Sequence, residues 1–251
     1  AVPQHEVLRA AIALAAKWAP KGENRAVYGA LKREMWKHAA DTLASAPLKN
    51  PDIEAFMAGD GLTQAYEGEN LIKTSFENLM AYLNTKEMPD RIIESIGELL
   101  TDKNWEELND RFHANLAFGT GGMRGRTIGK SVTKVEKGNK SPTGGPEFAA
   151  VGANTLNELT VIRATKALYL YIKQWMAGEG IYEQPRLVVA HDVRHFSANF
   201  SDLVANEWAQ MGGYAMKFDG PRSTPQLSFA VRSNYAHAGV VITASHNPFH
   251  D

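Results

Sequence analysis

The chain has 251 residues, 44% hydrophobic and 22% charged, with no cysteine and with 27 lysines and arginines against 28 aspartates and glutamates. That is a globular composition, and a formal net charge of -1 gives no general field for nucleic acid or an anionic membrane. Without thiols there is no disulfide scaffold, cysteine nucleophile, thiolate zinc site or iron–sulfur cluster, which fits a reducing cytoplasm.

No run approaches the ~18 consecutive apolar residues of a membrane span, and no basic-then-apolar leader opens the chain. The expectation is a cytoplasmic protein with neither membrane nor nucleic-acid partner. The first residue is Ala rather than Met, which implies that something upstream was removed.

From Val7 to Leu116 the periodicity is helical. Leu8, Ala11, Ile12, Ala15 and Trp18 form one stripe and Leu31, Met35, Ala39 and Leu43 another. Pro20, Gly22, Pro47, Pro51, Gly59, Gly61 and Gly68 cut these segments short. Pro89 stands where a first helical turn tolerates proline, ahead of Ile92, Ile93, Ile96, Leu99 and Leu100. Asn104 with Glu107 resembles a capping box before Trp105, Leu108 and Phe112. Residues 1–115 thus read as a helical N-terminal extension without a catalytic constellation.

Between Lys130 and Gly152, the turn-forming run at 137–146 reads as a mobile surface insertion. A long helix is predicted from about Leu156 to Met176, ending near Gly178 and Gly180. From Arg186 the grammar alternates. Residues 187–190 form a short apolar strand, Ser197 can cap a helix through Met211, and Tyr214 to Phe218 read as a strand. Thr224-Pro225 reads as an N-cap with proline at the first helical position, and Gly239 to Thr243 as a buried strand. The sum is α/β: a β-α-β-α-β parallel sheet covered on both faces, which binds ligands beyond the carboxyl ends of its strands.

Four segments could carry chemistry. In Phe118-Gly119-Thr120-Gly121-Gly122-Met123-Arg124-Gly125, glycines let backbone N–H groups approach an anion and Arg124 adds a forked cation; the plain alternative is a flexible joint. A Walker A loop ending at Gly129-Lys130-Ser131 fails, because Arg124 stands where that motif needs glycine. This disfavours a P-loop-like nucleotide binder.

After the first strand, His191-Asp192-Val193-Arg194-His195-Phe196-Ser197 suits helix capping with anion orientation through Arg194 and a helix N-terminus. A metal held by His191, Asp192 and His195 is less favoured, since no fourth ligand has suitable spacing. Thr224-Pro225 taken alone is a plain helix start. In Thr243-Ala244-Ser245-His246-Asn247-Pro248 a serine hydroxyl sits on a tight turn at a strand end beside an imidazole, though adjacent side chains in extended chain point apart. A Ser/Asn/Pro turn leaving a strand would look the same. The lipase-type Gly-x-Ser-x-Gly elbow is absent.

The run Gly239-Val240-Val241-Ile242-Thr243-Ala244-Ser245-His246-Asn247-Pro248 resembles the active-serine signature of the alpha-D-phosphohexomutases, the family of phosphoglucomutase and phosphomannomutase. Residues 118–125 are similar to that family's opening loop, and Asp192-x-Arg194-x-x-Ser197 and Thr224-Pro225 follow in the expected order. The resemblance covers about residues 116–251. It implies that these residues form the first domain, a three-layer α/β/α unit with a parallel-rich sheet ending just after the active-serine loop.

The resemblance also implies a reaction. Phosphorylated Ser245 would give its phosphoryl group to a hexose monophosphate, and the resulting sugar 1,6-bisphosphate, intermediate and activator, would return its other phosphate to the serine. Arg124 would contact phosphate in the cleft, His246 would support the serine loop, and Thr120 and Asn247 would help shape it. Gly121, Gly122 and Arg194 complete the expected phosphate contacts. Mg²⁺ would bind the Ser245 phosphate, with its other ligands outside this chain.

The family continues through further domains with an aspartate-rich metal loop, a sugar loop and a distal phosphate loop, none of which is matched here. Those domains are expected downstream, and the 251-residue piece is expected to lack turnover. Glucose is favoured over mannose. The alternatives are a phosphopentomutase acting on ribose phosphates and a catalytically inert phosphosugar-binding or assembly module.

Overall fold

The computed structural model describes residues 70–85, 88–119, 121–139 and 144–246. The helical stripes expected at Leu8–Trp18 and Leu31–Leu43 lie outside the described residues.

Helices α1 (Lys73–Leu83), α2 (Asp90–Thr101) and α3 (Trp105–Phe112) come first. Their apolar faces bury Leu79, Leu83, Ile92, Ile96, Leu99, Leu108 and Phe112 together, and Val151 and Ala153 join the same core. Pro89 is the N-cap of α2 rather than a residue of its first turn, a shift of one position that proline tolerates equally because it has no N–H to leave unpaired. Asn104 does cap α3, its side chain accepting the Glu107 N–H at 3.3 Å. The Glu107 carboxylate does not close the box; it turns inward to Arg111 Nε at 2.7 Å.

A two-residue hairpin follows, β1 (Phe118–Gly119) antiparallel to β2 (Gly122–Met123). Gly121 takes φ +90 within it, a region that a glycine occupies without steric cost.

In the stretch from Lys130 to Gly152 the residues just before the 137–146 run are built into the core, while the described part of the run itself is exposed or half-buried. Helix α4 (Lys134–Lys137) begins with a complete capping box between Thr133 and Glu136. Glu136 is 2% exposed and its carboxylate pairs with Arg111. The Glu147 and Phe148 amides bond the carbonyls of Lys137 and Glu136 at 3.1 and 3.0 Å. A buried charge pair is a long-range partnership that turn-rich composition cannot reveal.

Helix α5 (Glu158–Gly178) starts on a capping box between Asn157 and Thr160. Strand β3 (Arg186–His191), helix α6 (Ser197–Gln210), strand β4 (Tyr214–Lys217), helix α7 (Thr224–Ser233) and strand β5 (Ala238–Ile242) then alternate. The three strands form one parallel sheet in the order β4-β3-β5. Leu187 and Val189 of β3 pack against Tyr169, Ile172 and Met176 of α5 and Phe200, Val204 and Trp208 of α6. Val188 and Ala190, on the opposite face, meet Leu227 and Ala230 of α7. Period-two alternation with both sides apolar is what a central strand between two helical layers requires, and it makes the unit α/β/α.

Two helix starts differ by one residue from expectation. Ser223, not Thr224, is the N-cap of α7, its N–H donating to Gln226 Oε1 at 3.3 Å. Ser197 is the first residue of α6, behind the N-cap Phe196. Strand β5 is only half-buried, although packed on both faces, because it is an edge strand among the described residues.

Candidate active site

Pairing of His191 with Ile242 ends β3 and β5 at the same level, so residue 192 lies beside residue 243 at the carboxyl edge of the sheet. The Asp192 N–H extends the ladder by donating to the Ile242 carbonyl at 3.0 Å. Its side chain then works in two directions. Oδ1 accepts the Ser197 hydroxyl at 2.6 Å and the Arg194 N–H at 2.9 Å, and Oδ2 accepts the Ala244 N–H at 3.1 Å. The anion at the start of α6 is therefore the chain's own carboxylate, placed where a helix N-terminus favours negative charge. Partial burial pushes this carboxyl up, but the bonds it accepts from Ser197, Arg194, Thr243 and Ala244 outweigh burial and hold it below the ordinary aspartate value.

Beyond Ile242 the chain turns sharply. The Ser245 N–H bonds back to Thr243 Oγ1 at 2.9 Å, and Ser245 takes φ +57, a left-handed conformation rare for a residue with a Cβ. That turn leaves Ser245 exposed and swings its Oγ to 3.2 Å from His246 Nδ1. In extended chain the two side chains would point apart; the left-handed residue brings them together. The product is an accessible hydroxyl with an imidazole nitrogen in hydrogen-bond reach, the geometry in which a serine can exchange its proton and act as nucleophile or leaving group.

Other sequence candidates sit elsewhere. Arg124 follows the hairpin directly and is exposed, without an ion pair among the described residues. A side chain at Gly121 or Gly122 would meet nothing within 4 Å, so the hairpin backbone is open to an approaching ligand. Thr120 and Asn247 lie outside the described residues. The Arg194 N–H serves Asp192.

The possible metal trio is not assembled. The His191 ring donates to the Asp192 carbonyl at 2.7 Å, the His195 ring donates to the Pro146 carbonyl at 2.6 Å, and both Asp192 oxygens are taken. Among the described residues no three His, Asp or Glu side chains are grouped to hold a metal ion, and no helix is long and apolar enough to cross a membrane.

Comparison with known proteins finds one family that part of the chain resembles. Residues 149–251 match the family model described as phosphoglucomutase/phosphomannomutase, alpha/beta/alpha domain I. Over those residues the chain is similar to that family's alpha/beta/alpha domain I. Within that match lie the whole β3–β5 sheet, Asp192 and Ser245; the hairpin at 118–125 precedes it. Phosphoglucomutase of Staphylococcus epidermidis is 31% identical over 153 residues, which cover 61% of this chain and 23% of that protein. Phosphoglucomutase of Staphylococcus aureus is 31% identical over 142 residues, covering 57% of this chain and 21% of the relative. That of Staphylococcus haemolyticus is 31% identical over 137 residues, covering 55% and 20%. The chain thus aligns with under a quarter of the length of these phosphohexomutases. No solved structure matches it significantly.

Two groups of the serine edge were not among the sequence-derived site residues, Asp192 as a loop anchor and Thr243 as an acceptor. An Asp after a strand followed five residues later by Ser signalled a capping turn, which exists. Nothing local to it signalled the bond across to Ala244, 52 positions away.

Proposed function

We propose that the protein containing this chain interconverts hexose 1- and 6-phosphates through a phosphoserine at Ser245. The observation that carries this is the exposed Ser245 hydroxyl, held in a left-handed turn at the carboxyl end of β5 with His246 Nδ1 3.2 Å away. It stands where open parallel sheets bind ligands, and a hydroxyl presented this way can be approached in line by a phosphorus atom.

In the forward half-reaction the free hydroxyl of a hexose monophosphate attacks the phosphorus of phosphoserine. The bond from phosphorus to Ser245 Oγ breaks, the sugar hydroxyl loses its proton, and Oγ gains one. In the second half Oγ attacks the other phosphate of the bisphosphate and loses its proton, the bond from that phosphorus to its sugar oxygen breaks, and that oxygen gains a proton, leaving the isomeric monophosphate and a phosphorylated serine. His246 Nδ1 is in reach to hold the Oγ proton between these steps. Phosphoryl transfer depends on position and charge neutralisation, so Arg124 is assigned to a phosphate of the substrate, with the Gly121 and Gly122 amides beside it. Thr120, Arg194 and Asn247 keep their supporting assignments in this reading.

Mg²⁺ favours near-octahedral oxygen coordination. The described residues do not supply that set, since a Ser245 phosphate would be a lone ligand and the nearby Asp192 oxygens are engaged. For that reason residues 1–251 alone are expected to show no turnover.

The test is incubation of the full natural protein with glucose 1,6-bisphosphate, peptide mapping of the phosphorylated position, and a coupled assay for glucose 6-phosphate formed from glucose 1-phosphate. Phosphate on Ser245 and loss of turnover in Ser245→Ala are expected. Normal turnover by Ser245→Ala would overturn the assignment.

A further inference from the structure

The serine turn does not hold itself in place. Its first amide, Ala244 N–H, points back under the strand ends to Asp192 Oδ2 at 3.1 Å, and its second, Ser245 N–H, points to Thr243 Oγ1 at 2.9 Å. Thr243 also bonds the Asp192 carboxylate. The other carboxylate oxygen is fixed to the start of α6 by the Ser197 hydroxyl at 2.6 Å and to the turn before it by the Arg194 amide at 2.9 Å. Finally, the Asp192 amide grips the Ile242 carbonyl at 3.0 Å, so one residue holds the chain on both sides of Thr243.

We propose that Asp192 is a positioning residue for Ser245, tying the turn at 243–245 to the start of α6 so that the hydroxyl faces outward. The proposal rests on the reading of Ser245 as phosphoryl carrier and adds what keeps the carrier in place. With the amides of Ala244 and Ser245 both drawn inward, the left-handed backbone at Ser245 leaves its side chain the outward direction. A conformation that costs free energy persists only where surrounding bonds over-determine it, and four donors converging on one ionised carboxylate meet that need. Asp192 does not itself touch the transferred group. Its oxygens are filled by these donors, so the charge serves geometry rather than phosphate binding.

The test compares Asp192→Asn and Thr243→Val with the unaltered full natural protein. The first keeps the side-chain shape but replaces one acceptor oxygen by an NH2 group. The second leaves Asp192 bonded to α6 and deletes the threonine hydroxyl from the turn. Residue-resolved amide exchange is read at Ala244 and Ser245, and the rate of phosphate incorporation at Ser245 from glucose 1,6-bisphosphate is followed by peptide mass.

In Asp192→Asn, exchange at Ala244 should rise on the order of ten-fold or more, since hydrogen bonds to charged groups are the strong ones. In Thr243→Val the same rise is expected at Ser245. In both variants the maximal rate of phosphate incorporation should fall while half-saturation by bisphosphate stays unchanged, a split that general destabilisation would not produce. Unchanged exchange in both variants would overturn the proposal, as would loosened amides with incorporation at the unaltered rate. If the unaltered protein takes no phosphate on Ser245, the phosphoserine reading fails, and the exchange measurements still decide whether Asp192 anchors the turn.

Discussion

Replacing Arg111 by methionine should be among the most damaging single changes in the described structure. The guanidinium is fully buried. It donates to Glu107 at 2.7 Å, to both oxygens of Glu136, to the Val151 carbonyl at 3.1 Å and to the Ser131 carbonyl at 2.7 Å. Methionine would refill much of the stem volume but leave Glu107 and Glu136, each 2% exposed, without that cation. Removing one partner of a buried ion pair costs about 3–5 kcal/mol.

Compensation remains on both sides. Glu107 keeps Arg126 at 3.0 Å, and Glu136 keeps the Ser95 hydroxyl and the Thr133 and Val151 amides. The lower end, about 3 kcal/mol, is therefore expected, a large share of the ~5–15 kcal/mol that stabilises a typical domain. Urea unfolding followed by circular dichroism measures it.

The pH dependence gives a second readout. Burial pushes the Glu136 carboxyl up, but the Arg111 guanidinium outweighs burial and leaves it below its ordinary value. A lowered folded pKa contributes stability that is present above the unfolded value, about 4.5, and is lost as pH falls through the folded one. Without Arg111 that carboxyl should rise instead, so the variant gains protons in its folded state before the unaltered protein does. The difference between them should be largest near neutrality and shrink as pH drops toward and below 4.5. Changing Glu136 to glutamine as well should recover part of the loss at neutral pH. A cost below about 1 kcal/mol, or one equal at neutral and acid pH, would refute the argument.

Two further outcomes test the sheet and the serine turn. Trp208→Ala should cost about 3–5 kcal/mol in the same assay, because the indole is fully buried, meets Tyr169 edge-on at 5.1 Å and donates to the Pro185 carbonyl at 3.1 Å. At Ser245, glycine should be more stable than alanine by about 1 kcal/mol, since φ +57 burdens any residue with a Cβ; thermal unfolding showing alanine equal or better would contradict the assigned backbone.

Much of this architecture was legible in sequence because it is local. Apolar residues 187–190, the glycine pair at 212–213 and the apolar run at 239–243 mark strands and stops through side-chain periodicity and backbone freedom, and they led to the parallel sheet within a residue or two of its ends. The string at 243–248 pointed to Ser245 because a motif is itself local. The capping boxes illustrate the limit of such signals: Asn104 caps as its spacing suggests, while the Glu107 side chain abandons the box for a buried arginine.

What only the tertiary structure decided are partnerships between distant charges. The run from Lys130 to Gly152 looks like loop by composition, yet Glu136 within it neutralises Arg111 and secures the segment against α3. Asp192 looks like a helix cap, and one of its oxygens does accept the hydroxyl of Ser197, the first residue of α6, but its second oxygen reaches Ala244 beyond the end of β5. Sequence periodicity reports which face of an element is apolar; a carboxylate's worth depends on the donors that folding brings to it. Propensity and pattern therefore sufficed for the α/β layers and the position of the serine, whereas its conformation and the bonds that hold it followed from β3 and β5 ending side by side.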